Sequence, residues 1–142
     1  MPDHAERELH CVVVTPEKAL LDEAADFVAV PLFDGELGVL PSRAPLIGRL
    51  GYGELRIRRG TQVRRFFVDG GFVQVRANTV TVLTSRALRS EDIDTTAVAQ
   101  ALQAALAPAP TPQTSEEQLK TQQRARAQLR VTRHREEHTA HG

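Results

Sequence analysis

Hydrophobic and polar residues alternate in short runs over the first 88 residues of the chain. Alternation with a period of two is typical of β-strands that bury one face. The pattern predicts strands at 11–14, 27–30, 55–57, 66–68, 72–75 and 80–83. Glycine or asparagine separates these runs, and Gly70-Gly71 is expected to form a positive-φ turn between two strands. Short strands at this spacing predict a β-sandwich or barrel.

One segment, "FDGELGVLPSRAPLIGRLGYGELRI" at 33–57, combines five glycines and two prolines with many aliphatic residues. The glycines and prolines exclude a long helix. The aliphatic side chains are too apolar to remain in solvent without a partner. We therefore expect a stiff segment of closely spaced turns whose apolar side chains are covered.

After residue 88 the hydrophobic period becomes helical, with Ile93, Val98 and Leu102 on one stripe. Ser90 or Asp92 is expected to cap this helix. Three prolines in a linker at 107–113 end it. A second helix is predicted from about 115 to 135, with Thr114 or Ser115 as its cap. The predicted domains are therefore a β domain at 1–88 and a helical hairpin at 89–142.

The second helix carries an unusual row of cations. Arg126, Arg130 and Arg133 project within a narrow arc, and no Glu lies four residues before any of them. Two interpretations remain open from the spacing alone: a solvated face, or a face that docks on an acidic partner.

Composition excludes several function classes. The 18 Lys and Arg balance the 18 Asp and Glu, so the chain has no long-range attraction for nucleic acid or anionic lipid. Cys11 is the only cysteine, which excludes an internal disulfide and predicts a buried, inert thiol. No run approaches the roughly 18 apolar residues that span a bilayer, so membrane association is expected only through a partner.

The candidate catalytic motifs are weak. "HREEH" at 134–138 matches the H-x-x-E-H pattern of a zinc peptidase, but it lies four residues from the end of the sequence, where no core could form a pocket. The glycine pairs do not open a helix and so form no phosphate cradle. We expect a non-catalytic protein that binds no cofactor and no metal.

Several phrases resemble the epsilon subunit of the bacterial F-type ATP synthase. They are "VVTPEKALLD" (13–22), "GELGVLPSRAPLIGRLGYGELRI" (35–57), "VDGGFVQVRANTVTVLT" (68–84), "EDID" (91–94) and "AQLRV" (127–131). The resemblance implies an α+β fold: a flattened β-sandwich of about ten strands followed by an antiparallel two-helix hairpin. It also implies a non-catalytic central-stalk subunit on the cytoplasmic face of the bacterial inner membrane. Such a subunit couples rotation of the c ring to the catalytic head and inhibits ATP hydrolysis through its C-terminal helices.

The resemblance also implies partners for particular residues. The gamma subunit and the polar loops of the c ring would meet the sandwich, and the alpha and beta subunits would meet the helices. The implied sandwich contacts are Glu36, Leu37, Arg43, Leu46 and Ile47. Glu36 would face a basic residue of the ring, and Arg126, Arg130 and Arg133 would face an acidic loop of the beta subunit.

The sequence departs from the family at two places. Ser42-Arg43 stands where glycine and histidine are usual, which changes the local turn and adds a cation near the ring. Ile93-Asp94 matches part of an ATP-binding pattern, but Ala97 replaces its arginine, which argues against ATP binding.

Two alternatives of other classes remain. A β-barrel nucleic-acid-binding module with a basic helical tail is opposed by the neutral charge and by the absence of clustered surface aromatic residues. A small metal-dependent hydrolase depends on "HREEH" alone.

Overall fold

A computed structural model describes the backbone of residues 8–141 and the side chains of residues 8–134. Eight strands form the N-terminal part: β1 (Leu9–Val14), β2 (Ala19–Ala25), β3 (Phe27–Leu32), β4 (Gly35–Val39), β5 (Leu46–Arg59), β6 (Gln62–Arg76), β7 (Thr79–Leu83) and β8 (Ala87–Arg89). They pair in the order β2-β1-β7-β6-β5-β3-β4, and β8 also pairs with β6. The predicted α+β class, a β-sandwich followed by two helices, is confirmed.

The long β5–β6 hairpin lets one continuous sheet form both layers of the sandwich. Its Leu46 end, with the C-terminal half of β6, continues into β7, β1 and β2, whereas its other end pairs with β3 and β8. The core-facing positions of β5 are Leu50 in the first half and Leu55 in the second, an odd number of residues apart. An odd offset moves side chains to the opposite face of a strand. Both halves can therefore face one core as the hairpin passes from layer to layer.

Glycine makes this crossing possible in β6. Gly70 and Gly71 have φ angles of +67° and +109°, and a Cβ on Gly71 would lie 2.0 Å from the carbonyl oxygen of Leu83. The predicted positive φ is observed, but the predicted turn is wrong because both residues lie inside β6. The figure of about ten strands is also wrong, since β5 and β6 each run unbroken through both layers.

The glycine-rich segment is more regular than predicted. Residues 35–39 and 46–59 are strands, which leaves residues 40–45 as the connection between them. Pro31 of β3 packs so closely against Gly53 of β5 that a side chain there would clash. A Gly53 Cβ would lie only 2.6 Å from the Pro31 Cβ. These glycines therefore allow close packing between strands.

Two helices follow a single 3-10 turn at Ser90–Asp92: α1 (Thr95–Ala105) and α2 (Pro112–His141). Asp94 caps α1 by accepting a hydrogen bond from the backbone N–H of Ala97 at 3.1 Å, so the predicted caps Ser90 and Asp92 are wrong. Pro112 begins α2, and Thr111 accepts from the N–H of Thr114, so the predicted caps Thr114 and Ser115 are also wrong.

The helices form an antiparallel hairpin. The start of the hairpin, at Ile93, packs against Ala127 and Val131, far along α2. The end of α1 instead meets the earlier part of α2, where the side-chain amide of Gln122 donates to the carbonyl of Ala105 at 2.8 Å. Contacts that run in opposite order along the two helices require antiparallel axes.

The sandwich core is mainly aliphatic, with Phe66 as an aromatic member. Valines from both layers fill it, and Cys11 and Val13 of β1 pack in one cluster with Val28 and Val30 of β3. Cys11 is fully buried, as predicted, and burial together with the nearby Glu23 charge raises its pKa to about 12. Its thiol is therefore protonated and inert in the folded chain.

Candidate partner-binding surfaces

One face of the sandwich exposes large hydrophobic side chains, which we call the apolar outer face. Arg49, Phe72 and Leu83 are direct partners across β5, β6 and β7, so their side chains share one side of the sheet. Ile47 lies two residues from Arg49 and joins the same side. The apolar outer face consists of Ile47 (76% exposed), Phe33 (67%), Phe72 (57%) and Leu83 (47%). Exposed apolar residues that lie together mark protein contact surfaces.

Arg49 connects the aromatic residues of this face. Its guanidinium carbon lies 5.9 Å from the centre of the Phe33 ring, and it pairs in register with Phe72. The prediction that surface aromatic residues do not cluster is therefore wrong. Two exposed phenylalanines flank one arginine.

The structure separates the predicted sandwich-contact residues into different environments. Ile47 belongs to the apolar outer face, while Leu37 and Leu46 are half-buried against the core. Glu36 lies on the other outer side of the sandwich, where its Oε1 meets the Arg56 guanidinium at 3.3 Å. Arg43 is exposed in the 40–45 connection. The structure places Ile47 and Glu36 on opposite outer faces.

The turn at Ser42 keeps a conformation that suits glycine. Ser42 has a φ angle of +69°, which lies in the left-handed region, and its backbone N–H donates to the Asn78 side-chain oxygen at 2.7 Å. This hydrogen bond joins the 40–45 connection to the β6–β7 turn. Serine therefore occupies the turn at the cost of backbone strain of about 1 kcal/mol.

The helical hairpin packs on the outer surface of β5 and β6, which faces away from the sandwich core. Phe67, Ile93, Ala127 and Val131 form a buried cluster between sheet and helices. Phe67 and Val131 are fully buried. Only a narrow stripe of α2 faces the sheet, with Ala127 and Val131 on it, and most of the remaining described surface of this helix is exposed or half-buried.

Two polar contacts fix the docked hairpin at its margins. Arg124 Nε donates to Asp69 Oδ1 at 2.9 Å, and its guanidinium carbon lies 5.0 Å from the centre of the Tyr52 ring. The hydrogen bond with Asp69 raises the pKa of Arg124, although burial of the group acts in the opposite direction. The contact therefore binds a permanent cation of α2 to a carboxylate of β6.

The second polar contact centres on Glu54, whose side chain is only 8% exposed. One oxygen accepts from Arg65 at 2.8 Å, and the other lies 2.8 Å from His134 Nδ1. Because a carboxylate only accepts, Nδ1 carries the hydrogen here. A buried charge needs partners of this kind, and one of them comes from the hairpin.

The predicted arginine face divides when the hairpin is docked. Arg126 and Arg130 line a cleft between α2 and the sandwich, opposite Arg49 of β5. Arg133 is exposed and does not line that cleft. Within the described part of the chain, no carboxylate lies within ion-pair distance of Arg126, Arg130 or Arg133.

The remaining predicted motifs have structural roles where they are described. Ile93 is buried in the hairpin contact, and Asp94 is occupied as the cap that holds the Ala97 N–H. His134 of "HREEH" faces Glu54, whereas the side chains of 135–138 lie outside the described residues. Among the described residues, no group of three possible metal-binding side chains converges.

Sequence reasoning missed the docking residues Tyr52, Glu54, Phe67 and Asp69. Phe67 and Glu54 are direct partners across β5 and β6, so their side chains share the hairpin-covered face. A signal was available in "RRFFVD", where consecutive Phe66 and Phe67 imply that both faces of the strand are buried. Nothing in the sequence links Asp69 to Arg124, which is 55 residues away.

The fold and surfaces define the class: a small β-sandwich with a docked C-terminal helical hairpin and an exposed apolar face. Residues 8–90 match the model of the family described as "ATP synthase, Delta/Epsilon chain, beta-sandwich domain". The chain belongs to the family of ATP synthase epsilon chains.

Curated relatives carry the same description. The epsilon chain of Rhodopirellula baltica is 50% identical over 126 residues, which cover 88% of this chain and 98% of the relative. That of Nitratidesulfovibrio vulgaris strain DP4 is 46% identical over 89 residues, or 63% of this chain and 66% of the relative. The first similarity extends through most of the hairpin.

Solved structures share the fold. A chain in the Euglena gracilis mitochondrial ATP synthase, solved as OSCP/F1/c-ring, aligns with a TM-score of 0.70 at 22% identity, over 89% of this chain and 78% of that one. A chain in the Tetrahymena thermophila central stalk and c-ring structure aligns at 0.65 and 18% identity, over 89% and 98%. Among the described residues, no helix is long and apolar enough to cross a bilayer.

Proposed function

We propose that this chain is a non-catalytic rotor subunit of an F-type ATP synthase. In this role it couples rotation of the c ring to the catalytic head and restrains ATP hydrolysis through its helical hairpin. The observation that carries the proposal is the division of the sandwich into two outer faces. One face is covered by a hairpin that could detach, and the other exposes four large hydrophobic residues.

The apolar outer face is the proposed contact with the gamma subunit. Ile47 and Phe72 expose most of their surface, and Arg49 beside them supplies a donor at the rim. Covering such side chains contributes about 25 cal/mol per Å² of apolar area. A rigid double-layer support keeps these side chains in position under load.

The c ring is the proposed partner of the acidic and basic residues near β4. Glu36 is about half exposed and already neutralises Arg56, so a cation of the ring would join an existing charge pair. Arg43 is exposed in the neighbouring connection. Half-buried Leu37 and Leu46 would support these contacts from the core side. Membrane attachment would then arise only through the ring, on the cytoplasmic face of the bacterial membrane.

The hairpin is the proposed regulatory part, and the beta subunit's acidic loop is the proposed partner of its arginines. Arg126, Arg130 and Arg133 have no carboxylate partner in the described part of the chain. Individually exposed ion pairs contribute little, but three of them on one face add to a contact that depends on salt. Such a contact would hold the hairpin on the beta subunit and would still allow the hairpin to dissociate.

The boundary between the two parts is proposed near the end of β8. The boundary predicted from the sequence at residue 88 would cut this strand, since Arg89 still pairs with Phe66 and Ser90 is buried. A truncation after Asp92 preserves the strand and the 3-10 turn. It is therefore the better variant with which to remove the hairpin.

The test compares the ATPase and ATP-synthesis rates of the whole complex with and without residues 93–142. We expect assembly and synthesis to persist, while ATP hydrolysis rises. A second variant, Arg126→Glu with Arg130→Glu and Arg133→Glu, keeps the hairpin and should also raise hydrolysis.

The outcomes separate the parts of the proposal. Unchanged hydrolysis in both variants would refute the regulatory role, and a raised rate in the truncation alone would refute the arginine contact. If tagged protein recovers no gamma, alpha or beta subunit, the rotor role itself fails. Recovery of RNA instead would favour the nucleic-acid alternative.

A further inference from the structure

A cleft between α2 and the sandwich collects arginines from both parts of the molecule. It has a volume of about 670 Å³. Arg126 and Arg130 of α2 form one side, and Arg49 of β5 lies on the other. Arg124 and Asp69 also line it, but they form an ion pair with each other. The cleft therefore carries an excess of three positive charges.

Side chains in the described part of the chain do not neutralise these three cations. Among the described residues, Arg126, Arg130 and Arg49 make no ion pair, and the Arg49 guanidinium lies over the Phe33 ring instead. Arg126 and Arg130 lie four residues apart on one helix, where like charges repel. Since the docked hairpin brings Arg49 towards them, docking adds to this repulsion unless an anion is present.

We propose that the cleft binds a small phosphate-type anion with several negative charges, such as pyrophosphate or the chain of a polyphosphate. Guanidinium groups bind phosphate oxygens through paired, charge-assisted hydrogen bonds, which suits ligands of this class. The side-chain amide of Gln123, which also lines the cleft, provides a further donor. The site differs from the Ile93-Asp94 pattern, because Ile93 is buried and Asp94 is used as a helix cap.

The anion would bridge the sandwich and the hairpin, because Arg49 lies on the sandwich and Arg126 and Arg130 lie on α2. An anion that binds only when α2 is docked stabilises docking in proportion to its occupancy. The same ligand would occupy Arg126 and Arg130 and withhold them from an acidic partner, a consequence that rests on the proposed function. Binding itself needs no other subunit.

The first experiment measures pyrophosphate binding to the 142-residue chain by calorimetry at neutral pH. We expect one saturable site, weakened roughly tenfold by either Arg49→Gln or Arg130→Gln. Arg133→Gln is the matched control, because it removes one exposed positive charge from the same helix outside the cleft. Affinity should fall as NaCl rises from about 50 mM to about 300 mM.

Absence of saturable binding would overturn the proposal, and so would an equal loss of affinity in Arg133→Gln. Thermal melting of each variant identifies loss of folding, and a variant that fails to fold is replaced by Arg126→Gln. Tripolyphosphate and ATP serve as further probes. Similar affinities support recognition of the phosphate chain, whereas ATP binding more than tenfold tighter would mean that a base site carries the binding.

The second experiment tests the bridge. Val131 lies on α2 and is fully buried where this helix packs against the sheet. A Val131→Cys thiol would therefore become accessible only when the hairpin undocks, and its labelling rate reports undocking. Pyrophosphate at about ten times its dissociation constant should slow labelling by about tenfold. An unchanged labelling rate with the site saturated would refute the bridging geometry.

Discussion

Removal of Arg124 gives a direct measure of what holds the hairpin against the sandwich. In Arg124→Gln, Asp69 loses its guanidinium partner at 2.9 Å and Tyr52 loses the cation over its ring. The Asp69 side chain is 14% exposed, so its carboxylate would remain largely desolvated without that partner. A hydrogen bond to a charged group contributes about 1.5–3 kcal/mol. Because the Arg124 side chain is 41% exposed, solvent reduces this to about 1–2 kcal/mol.

The assay is thiol labelling of Val131→Cys in the isolated chain. A loss of about 1–2 kcal/mol in docking corresponds to labelling about fivefold to thirtyfold faster. Native Cys11 provides an internal reference: it is fully buried in the sandwich and its pKa is about 12, so it reacts only when the sandwich itself opens. Its rate should not change.

The matched control is Arg126→Gln, which removes the same charge from the same helix but breaks no ion pair of the described residues. Its labelling rate should stay at or below that of the parent, because the loss of Arg126 also relieves its repulsion with Arg49 and Arg130 in the docked state. Equal rates in the two variants would refute the assignment of Arg124 as a docking contact. Faster labelling of Cys11 alongside Val131→Cys would mean that the hairpin does not open as a separate unit.

Three further predictions test the surfaces and the fold. Ile47→Ser should leave the melting temperature nearly unchanged because Ile47 is 76% exposed, yet should reduce recovery of the gamma subunit in co-purification; unchanged recovery would exclude this side chain from the interface. Gly71→Ala should lower the free energy of unfolding in urea by roughly 3 kcal/mol or more, whereas Gly60→Ala, also at positive φ but in open space, should cost only about 1–2 kcal/mol; similar losses would contradict the predicted clash with Leu83. The raised pKa of Cys11 means that its contribution to stability is complete below the unfolded value near 9.0 and is lost as pH rises towards about 12. The free energy of unfolding should therefore fall less steeply over that window in Cys11→Ala, and parallel curves would show that this thiol does not titrate with unfolding.

The sequence alone determined the element types wherever one face or stripe of the element is buried. Val80 and Val82 alternate with threonine, and this local period is sufficient to predict a strand because β7 buries one face in the core. The break near residue 88 was readable for the same reason, since the period changes from that of a strand to that of a helix. Family phrases such as "VDGGF" identified the class of protein, and the structure shows that Gly71 of this phrase has no room for a Cβ.

Only the tertiary structure decided how these elements meet. The crossing of β5 and β6 between layers depends on an offset of one residue and on where the chain bends, and local alternation does not encode either. Asp69 and Arg124 are far apart in sequence and become partners only because α2 lies on the sheet. Likewise, the arginines of α2 form a regular row on an isolated helix, and docking against Arg49 separates Arg126 and Arg130 from Arg133. Local patterns fix which face of an element avoids water, whereas the identity of what covers that face depends on long-range packing.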